Sequence, residues 1–356
     1  MSHKPTTVHD LADFSVVIDT RSPAEYALDH IPGSLNYPVL SDDERRITGT
    51  TYVQVSAFEA RKIGGAMVAR NIARHLDESF HDKPKDWRPL VYCWRGGMRS
   101  GSFVTWLRLV GWDAQQLKGG YKAYRAHVIE RLAALTPTLD LRVLCGATGS
   151  AKTSVLQALA EQGEQVLDLE ALAAHRGSVL GAIPGREQPS QKAFETQLMT
   201  AMGALDPARR VWVEAESRRI GRISLPDALL QRLRESPVVE IDASLEARLA
   251  YLLRDYAWLG DDPQGFADKL GTLKGLLPNE TLAQWQAWAL ARELPPLFAA
   301  LMAEHYDPLY KRSQGRHLER LGQAQRVGAD DLSPQGITAL ARQVAALSDT
   351  RPTETP

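Results

Sequence analysis

A chain of 356 residues with 44% hydrophobic content is long enough for two cores and too apolar for a disordered polymer. Its net charge of −1 excludes a global basic field, so any nucleic-acid contact must rest on local patches; its two cysteines, Cys93 and Cys145, exclude a disulfide framework and fit a reducing compartment. The N-terminal residues carry no apolar leader and no stretch reaches membrane-spanning length, so a cytoplasmic protein without membrane contact is expected.

Residues 16–20 read as a short buried strand, after which Ser22 and Pro23 open a helix as N-cap and first helical residue. A turn over residues 30–34 leads to an extended piece at 35–38. The apolar positions Ile63, Met67, Ile72 and Leu76 predict a helix over residues 57–76, interrupted by Gly64 and Gly65. Strands are expected at 89–93 and 114–118, with a helix at 99–110 between them. This alternation predicts an α/β domain with a parallel sheet and its reactive groups at the carboxyl ends of strands.

A break at residues 136–140 separates that domain, placed at residues 10–135, from a second α/β domain at 141–243. There a strand at 141–145 runs into a glycine loop, followed by a helix at 153–162 and a strand at 165–169. Residues 175–190, rich in Gly and Pro, are a candidate lid with Arg176, Arg186 and Lys192 in or beside it. Strands at 210–216 and 238–242 come next. Residues 244–348 read as mostly helical, with Trp258, Trp285 and Trp288, and 349–356 as a disordered tail. No internal repeat is evident.

In the first domain an apolar run ends at Cys93, and Trp94, Arg95, Gly96, Gly97, Met98, Arg99 and Ser100 follow. Gly96 and Gly97 let the backbone curl into an anion-binding nest, while Arg99 and the start of a helix favour thiolate over thiol. Cys93 is therefore a candidate nucleophile with Arg99 as its partner. Five residues separate the two, which suits either sulfur or selenium transfer or hydrolysis of a phosphate ester through a phosphocysteine.

In the second domain Gly146, Gly149, Ser150, Lys152 and Thr153 fall in a near-match to the P-loop, whose amides hold a diphosphate, whose lysine neutralises its charge and whose threonine can ligate Mg²⁺. The match departs at Ala151, where glycine is expected; a positive φ there costs alanine about 1 kcal/mol. Glu214 and Glu216 at the end of a strand are candidate metal-ordering acids or solvated carboxylates. Arg218, Arg219 and Arg222 just beyond are a candidate rim for phosphate or RNA, as are Arg176 and Arg186. Residues 306–312 mix tyrosines with bases, which suits either base stacking or core packing. No metal set is certain from the sequence.

Asp19 to Tyr26 and His30 to Ser34, taken with the Cys93 loop, resemble the rhodanese family over residues 10–135, with Asp19, Arg21 and Glu25 as a charge network under the loop. A rhodanese-like module followed by a P-loop module, with His175-Arg176-Gly177-Ser178 and His305 to Tyr310, resembles the tRNA 2-selenouridine synthase family over almost the whole chain. The resemblance implies a transferase that converts 2-thiouridine at the tRNA wobble position to 2-selenouridine with selenophosphate. It also implies S-geranylation of the same base from geranyl diphosphate, with Cys93 carrying selenium and the P-loop holding the prenyl diphosphate. The implied partners are the tRNA anticodon region and a selenophosphate-supplying enzyme; no tightly bound cofactor is implied beyond optional Mg²⁺. The rivals are a rhodanese-fold cysteine phosphatase or sulfurtransferase fused to a nucleotide-binding module, and a P-loop kinase with a rhodanese-like regulatory domain.

Overall fold

The computed structural model describes residues 5–177, 181–183, 185–310 and 318–347. The expected tail at 349–356 lies outside them. The chain divides into two compact units, Met1–Ala134 with Pro189–Thr200, and Leu135–Gln188 with Ala201–Pro356. The division differs from the sequence reading at residues 189–200, which join the first unit. Thr196 donates to the Asp29 carboxylate at 3.2 Å and Glu195 pairs with Arg125, contacts between residues too far apart in sequence for a local pattern to reveal.

In the first unit β1 (Val16–Asp19), β2 (Leu35–Asn36), β3 (Pro89–Tyr92) and β4 (Gln115–Gln116) form a parallel sheet in the order β2-β1-β3-β4. The register Val16↔Pro89 through Asp19↔Tyr92 puts Asp19 beside the end of β3, next to Cys93. The helices are α1 (Pro23–Leu28), α2 (Asp42–Gln54), α3 (Ala57–Ser79), α4 (Met98–Val110) and α5 (Gly120–Leu135). Ile18, Ile72, Phe80, Val91, Phe103 and Leu107 form the core. The expected α3 runs through Gly64 and Gly65 unbroken, whereas α2, a polar helix with no buried residue and a Ser41/Glu44 capping box, has no apolar period to announce it.

In the second unit β5 (Asp140–Cys145), β6 (Gln165–Leu167), β7 (Arg210–Glu214), β10 (Val238–Ala243) and β11 (Gln325–Ala329) build a parallel sheet in the order β11-β10-β5-β7-β6. The short antiparallel pair β8 (Arg219–Ile220) and β9 (Ile223–Ser224) stands apart from it. The helices are α6 (Lys152–Glu161), α7 (Leu169–Ala173), α8 (Gln191–Gly203, begun in the first unit), α9 (Asp227–Glu235), α10 (Leu245–Asp255), α11 (Pro263–Gly271), α12 (Asn279–Leu290), α13 (Leu294–Ala300) and α14 (Pro334–Ala345). The region read as mostly helical thus also supplies an edge strand. Only Val327 and Ala329 of β11 are buried, too short a pattern to read as a strand. Phe266, Trp285 and Phe298 anchor a separate apolar cluster among α10 to α13. Among the described residues no helix is long and apolar enough to cross a membrane.

Candidate functional sites: a thiolate loop and a phosphate loop

Cys93 follows β3 directly and is buried, 3% exposed. Its Sγ accepts from the Ser100 hydroxyl at 3.1 Å and from the Gly97 N–H at 3.3 Å, both at the start of α4. Burial pushes the thiol up. The Ser100 hydroxyl and N–H, the Arg99 charge and the Gly97 N–H outweigh it, so the Cys93 thiol sits below its ordinary value. The Cys93 and Trp94 carbonyls are turned toward α5, accepting from Tyr121 N–H at 2.8 Å and Lys122 N–H at 2.9 Å. Because peptide units are planar and trans, the Trp94 and Arg95 N–H groups point the opposite way, away from α5. This close docking requires glycine: a Cβ on Gly120, at φ 56°, would lie 2.2 Å from the Cys93 carbonyl oxygen.

Arg99 donates to Glu25 Oε2 at 2.7 Å, and Arg45 stands 3.5 Å from the same oxygen. Burial raises the Glu25 carboxyl, and the Arg99 hydrogen bond and charge lower it further than burial lifts it. Glu25 thereby fixes the guanidinium beside the loop. Arg21 pairs with Asp19 at 2.6 Å, with both side chains buried, and donates to the Asp29 carbonyl at 2.6 Å. Trp94, Arg95, Gly97 and Met98 are exposed around the thiol. Two contributors were not singled out by sequence reasoning: Ser100, and Gln116, which donates to Ser100 Oγ at 2.8 Å and to the Gly97 carbonyl at 3.0 Å. Removing the nearest donor with Ser100→Ala is expected to move the thiol toward higher pH. The rate of iodoacetamide alkylation against pH reads this shift, and an unmoved midpoint would show that Ser100 does not set the thiolate.

In the second unit the loop after β5 delivers Gly146, Gly149, Ser150, Lys152 and Thr153 to one bend ahead of α6. Lys152 Nζ reaches back across the loop to the Gly146 carbonyl at 3.0 Å. Ala151 adopts φ 58°, ψ 26° and is 4% exposed, so it carries the left-handed cost, about 1–2 kcal/mol, that glycine would escape. A Cβ on Gly146 would lie 2.5 Å from Ser150 Oγ. Ser150 Oγ is buried with no hydrogen-bond partner among the described residues, a donor left over for an anion.

β7 lies beside β5, and its last residue, Glu214, is 4% exposed. Glu216 lies past the strand, which ends two residues earlier than expected. Glu170, which the sequence reading did not single out, joins them; one oxygen from each carboxylate lies within 4.8 Å of the others. Thr153 Oγ1 donates to Glu170 Oε2 at 3.3 Å. Burial and then the Glu214 charge push Glu170 up to about 8, and burial also raises Glu214 and Glu216, with Lys152 opposing in all three. Glu214 Oε1 is buried with no hydrogen-bond partner among the described residues. This oxygen, its neighbours and Thr153 fit a Mg²⁺ ion, an oxygen-seeking cation that would neutralise diphosphate charge.

A carboxyl whose folded value is raised binds its proton more tightly in the native state, so its contribution to stability is full below about 4.5 and is lost as pH rises through about 8. Metal-free protein is therefore expected to lose thermal stability over that window, less so in Glu170→Gln, and Mg²⁺ should restore more at pH 8 than at pH 6. Melting curves of both proteins with and without Mg²⁺ check this; equal pH dependence in the two would remove Glu170 from the account.

The candidate lid is described only in part, since residues 178–180 and 184 lie outside the described set. Arg176 pairs with Asp255 of α10 at 2.5 Å and lies over the Tyr256 ring, so it is committed within its unit. Arg186 and Arg219 are exposed. Arg218 pairs with Asp227 at 3.0 Å, and Arg222 binds Gln188, so the expected arginine rim is partly engaged. Lys192 stands in the first unit, 5.5 Å from the Trp94 ring centre.

Sequence reasoning also missed a brace on the phosphate loop. Arg248 of α10, 6% exposed, donates to the Thr148 carbonyl at 2.8 Å and grips Asp307 through two bonds of 3.1 and 2.6 Å. The chain reaches Asp307 through a π-helix at Leu301–Tyr306. Tyr306 packs against the helical core, and Tyr310 lies against Cys145 and Gly146. Lys311 and Arg312 lie outside the described residues.

Fold and loops together define a rhodanese-like thiol module and a P-loop module in one polypeptide. Family profiles agree: residues 5–127 match the rhodanese-like domain, and residues 139–276 match the tRNA 2-selenouridine synthase AAA domain. The tRNA 2-selenouridine synthase of Alcanivorax borkumensis is 34% identical over 326 residues, 83% of this chain and 88% of that protein. That of Shewanella loihica is 30% identical over 87% of this chain and 90% of its own length. That of Nitrosomonas europaea is 36% identical over 67% of this chain and 63% of its own length. The chain belongs to the tRNA 2-selenouridine synthase family.

Proposed function

We propose that this chain is a cytoplasmic tRNA-modifying transferase that replaces the sulfur of wobble-position 2-thiouridine by selenium from selenophosphate, through an S-geranylated intermediate formed from geranyl diphosphate. The observation that carries the reading is the presence, in a member of this family, of a thiolate-favouring loop and a phosphate loop with a buried hydroxyl unpaired among the described residues, on one polypeptide. In the first step the thiocarbonyl sulfur attacks the allylic carbon, the carbon–oxygen bond breaks and diphosphate leaves. Lys152, Ser150 and the loop amides stabilise the charge that develops on it. Thr153, Glu214, Glu216 and Glu170 would hold Mg²⁺ beside it.

Alkylation turns the sulfur into a better leaving group. In the second step the selenium of selenophosphate adds at C2 of the uracil, the carbon–sulfur bond breaks and geranyl thiolate departs with its electron pair and takes up a proton; water then cleaves the phosphorus–selenium bond, leaving 2-selenouridine and inorganic phosphate. The Cys93 loop handles the anionic selenium, with Arg99 and the helix start opposing its charge. The anticodon region of tRNA is the macromolecular substrate, and an enzyme that makes selenophosphate supplies the donor. Purified protein given thiolated tRNA and geranyl diphosphate should yield the geranylated base by nucleoside mass spectrometry, and 2-selenouridine once selenophosphate is added. Phosphate release from aryl phosphates without RNA, or stoichiometric nucleotide consumption, would instead support the phosphatase or kinase alternatives.

A further inference from the structure

The first unit holds a cavity of about 690 Å³ between α2, α3 and α4, within the size range of small-molecule sites. Leu40 and Ile72 form its buried wall, and Tyr52, Val53 and Trp106 stand around its mouth with 62%, 83% and 46% of their surface exposed. Large apolar side chains left open around a concave site mark a binding surface. Met98 and Arg99, the first two residues of α4, line this cavity and also belong to the Cys93 loop. The apolar space therefore begins where the thiolate site ends.

The chemistry of the space narrows its occupant. Selenophosphate and the unmodified thiouridine have no alkyl group for an apolar wall, whereas the S-geranyl base carries ten carbons. At roughly 30 Å³ per carbon, taking water's share of liquid volume as the measure, such a chain needs about 300 Å³, leaving room for part of the base. Arg45, Arg61 and Arg99 give the same cavity a cationic edge suited to the phosphodiester that accompanies the base. We infer that this cavity takes the geranyl chain of the S-geranylated uridine and so presents C2 to selenium at the Cys93 loop. The inference rests on the two-step reading above. It assigns the chain of the intermediate, as distinct from that of the diphosphate donor.

Gly65 offers a clean test, because a Cβ there meets nothing within 4 Å and α3 needs no special backbone angle at that position. Gly65→Phe fills the mouth, and Val53→Asp puts a charge on its rim without disturbing packing. With pre-geranylated tRNA and selenophosphate, both variants are expected to lose about 10- to 200-fold in kcat/KM, the range for a methylene-sized misfit in an apolar pocket. Tryptophan fluorescence titration with a geranylated anticodon-loop oligonucleotide should show weaker binding by a similar factor. Geranylation of thiolated tRNA, and selenation of an S-methyl-2-thiouridine oligonucleotide, should stay at wild-type rates.

Unchanged binding and turnover of the geranylated substrate in both variants would overturn the inference. So would an equal loss with the S-methyl substrate, which would make the cavity structural, or a loss of geranylation, which would make it the donor's site. A change in oligomeric state with no change in ligand binding would assign the face to a second copy of the chain. Failure of the wild type to form or turn over the geranylated base would instead remove the two-step reading, and the fluorescence titration would still decide whether the cavity binds the chain.

Discussion

Cys93→Ser is expected to abolish selenation, by on the order of 10³-fold or more, while thiolated tRNA and geranyl diphosphate still give the geranylated base. A serine hydroxyl fits the space of the thiol and can accept from Ser100 and Gly97, so the fold should hold; it does not ionise near neutral pH, so the anionic sulfur is lost. The geranylated base should accumulate in the mutant. Nucleoside mass spectrometry after reaction with both donors reads this directly, and normal 2-selenouridine formation would refute the role of Cys93. Arg99→Ala should weaken the same step less, because Gly97 and Ser100 still face the sulfur. Its melting temperature separates loss of anion stabilisation from loss of the brace to Glu25.

Lys152→Ala is expected to block geranylation, and through it selenation from thiouridine. The ammonium spans the phosphate loop and faces the acidic cluster. Its removal takes away the point charge opposing the departing diphosphate, a loss of about 3 kcal/mol or some 10²-fold in rate. It also removes the charge that opposes the rise of the three glutamates, so their carboxyl groups should rise further. Pre-geranylated tRNA with selenophosphate should restore selenation in this mutant. If it does not, while tRNA binding is normal, the phosphate loop serves both steps or the two-step order is wrong.

Both loops could be read from the sequence because each is a local motif, a strand end followed by glycines and a helix start. The parallel sheets followed from the alternation of elements for the same reason. What escaped is what the sheet order and long-range packing bring together. Glu170 reaches Glu214 because β6 lies beside β7, and no spacing along the chain encodes that neighbour. Gln116 stands on a two-residue strand, too short to show a period, yet it orients the hydroxyl that faces Cys93. The polar α2 left no hydrophobic trace, although it forms one wall of the cavity beside Arg99.

The link from Thr148 through Arg248 to Asp307 bears on how the chain can be divided. The AAA profile ends at residue 276, before Asp307 and before the edge strand β11. A fragment cut at that boundary keeps the whole phosphate loop and the arginine that touches it, but strands a guanidinium 6% exposed in the intact chain without its carboxylate. Breaking a buried pair from one side costs about 3–5 kcal/mol, a large share of the stability of an ordinary domain. The smallest autonomous phosphate-binding piece of this protein is therefore longer than the segment its sequence profile delimits, and a dead fragment ending at residue 276 would say nothing about the chemistry of the loop.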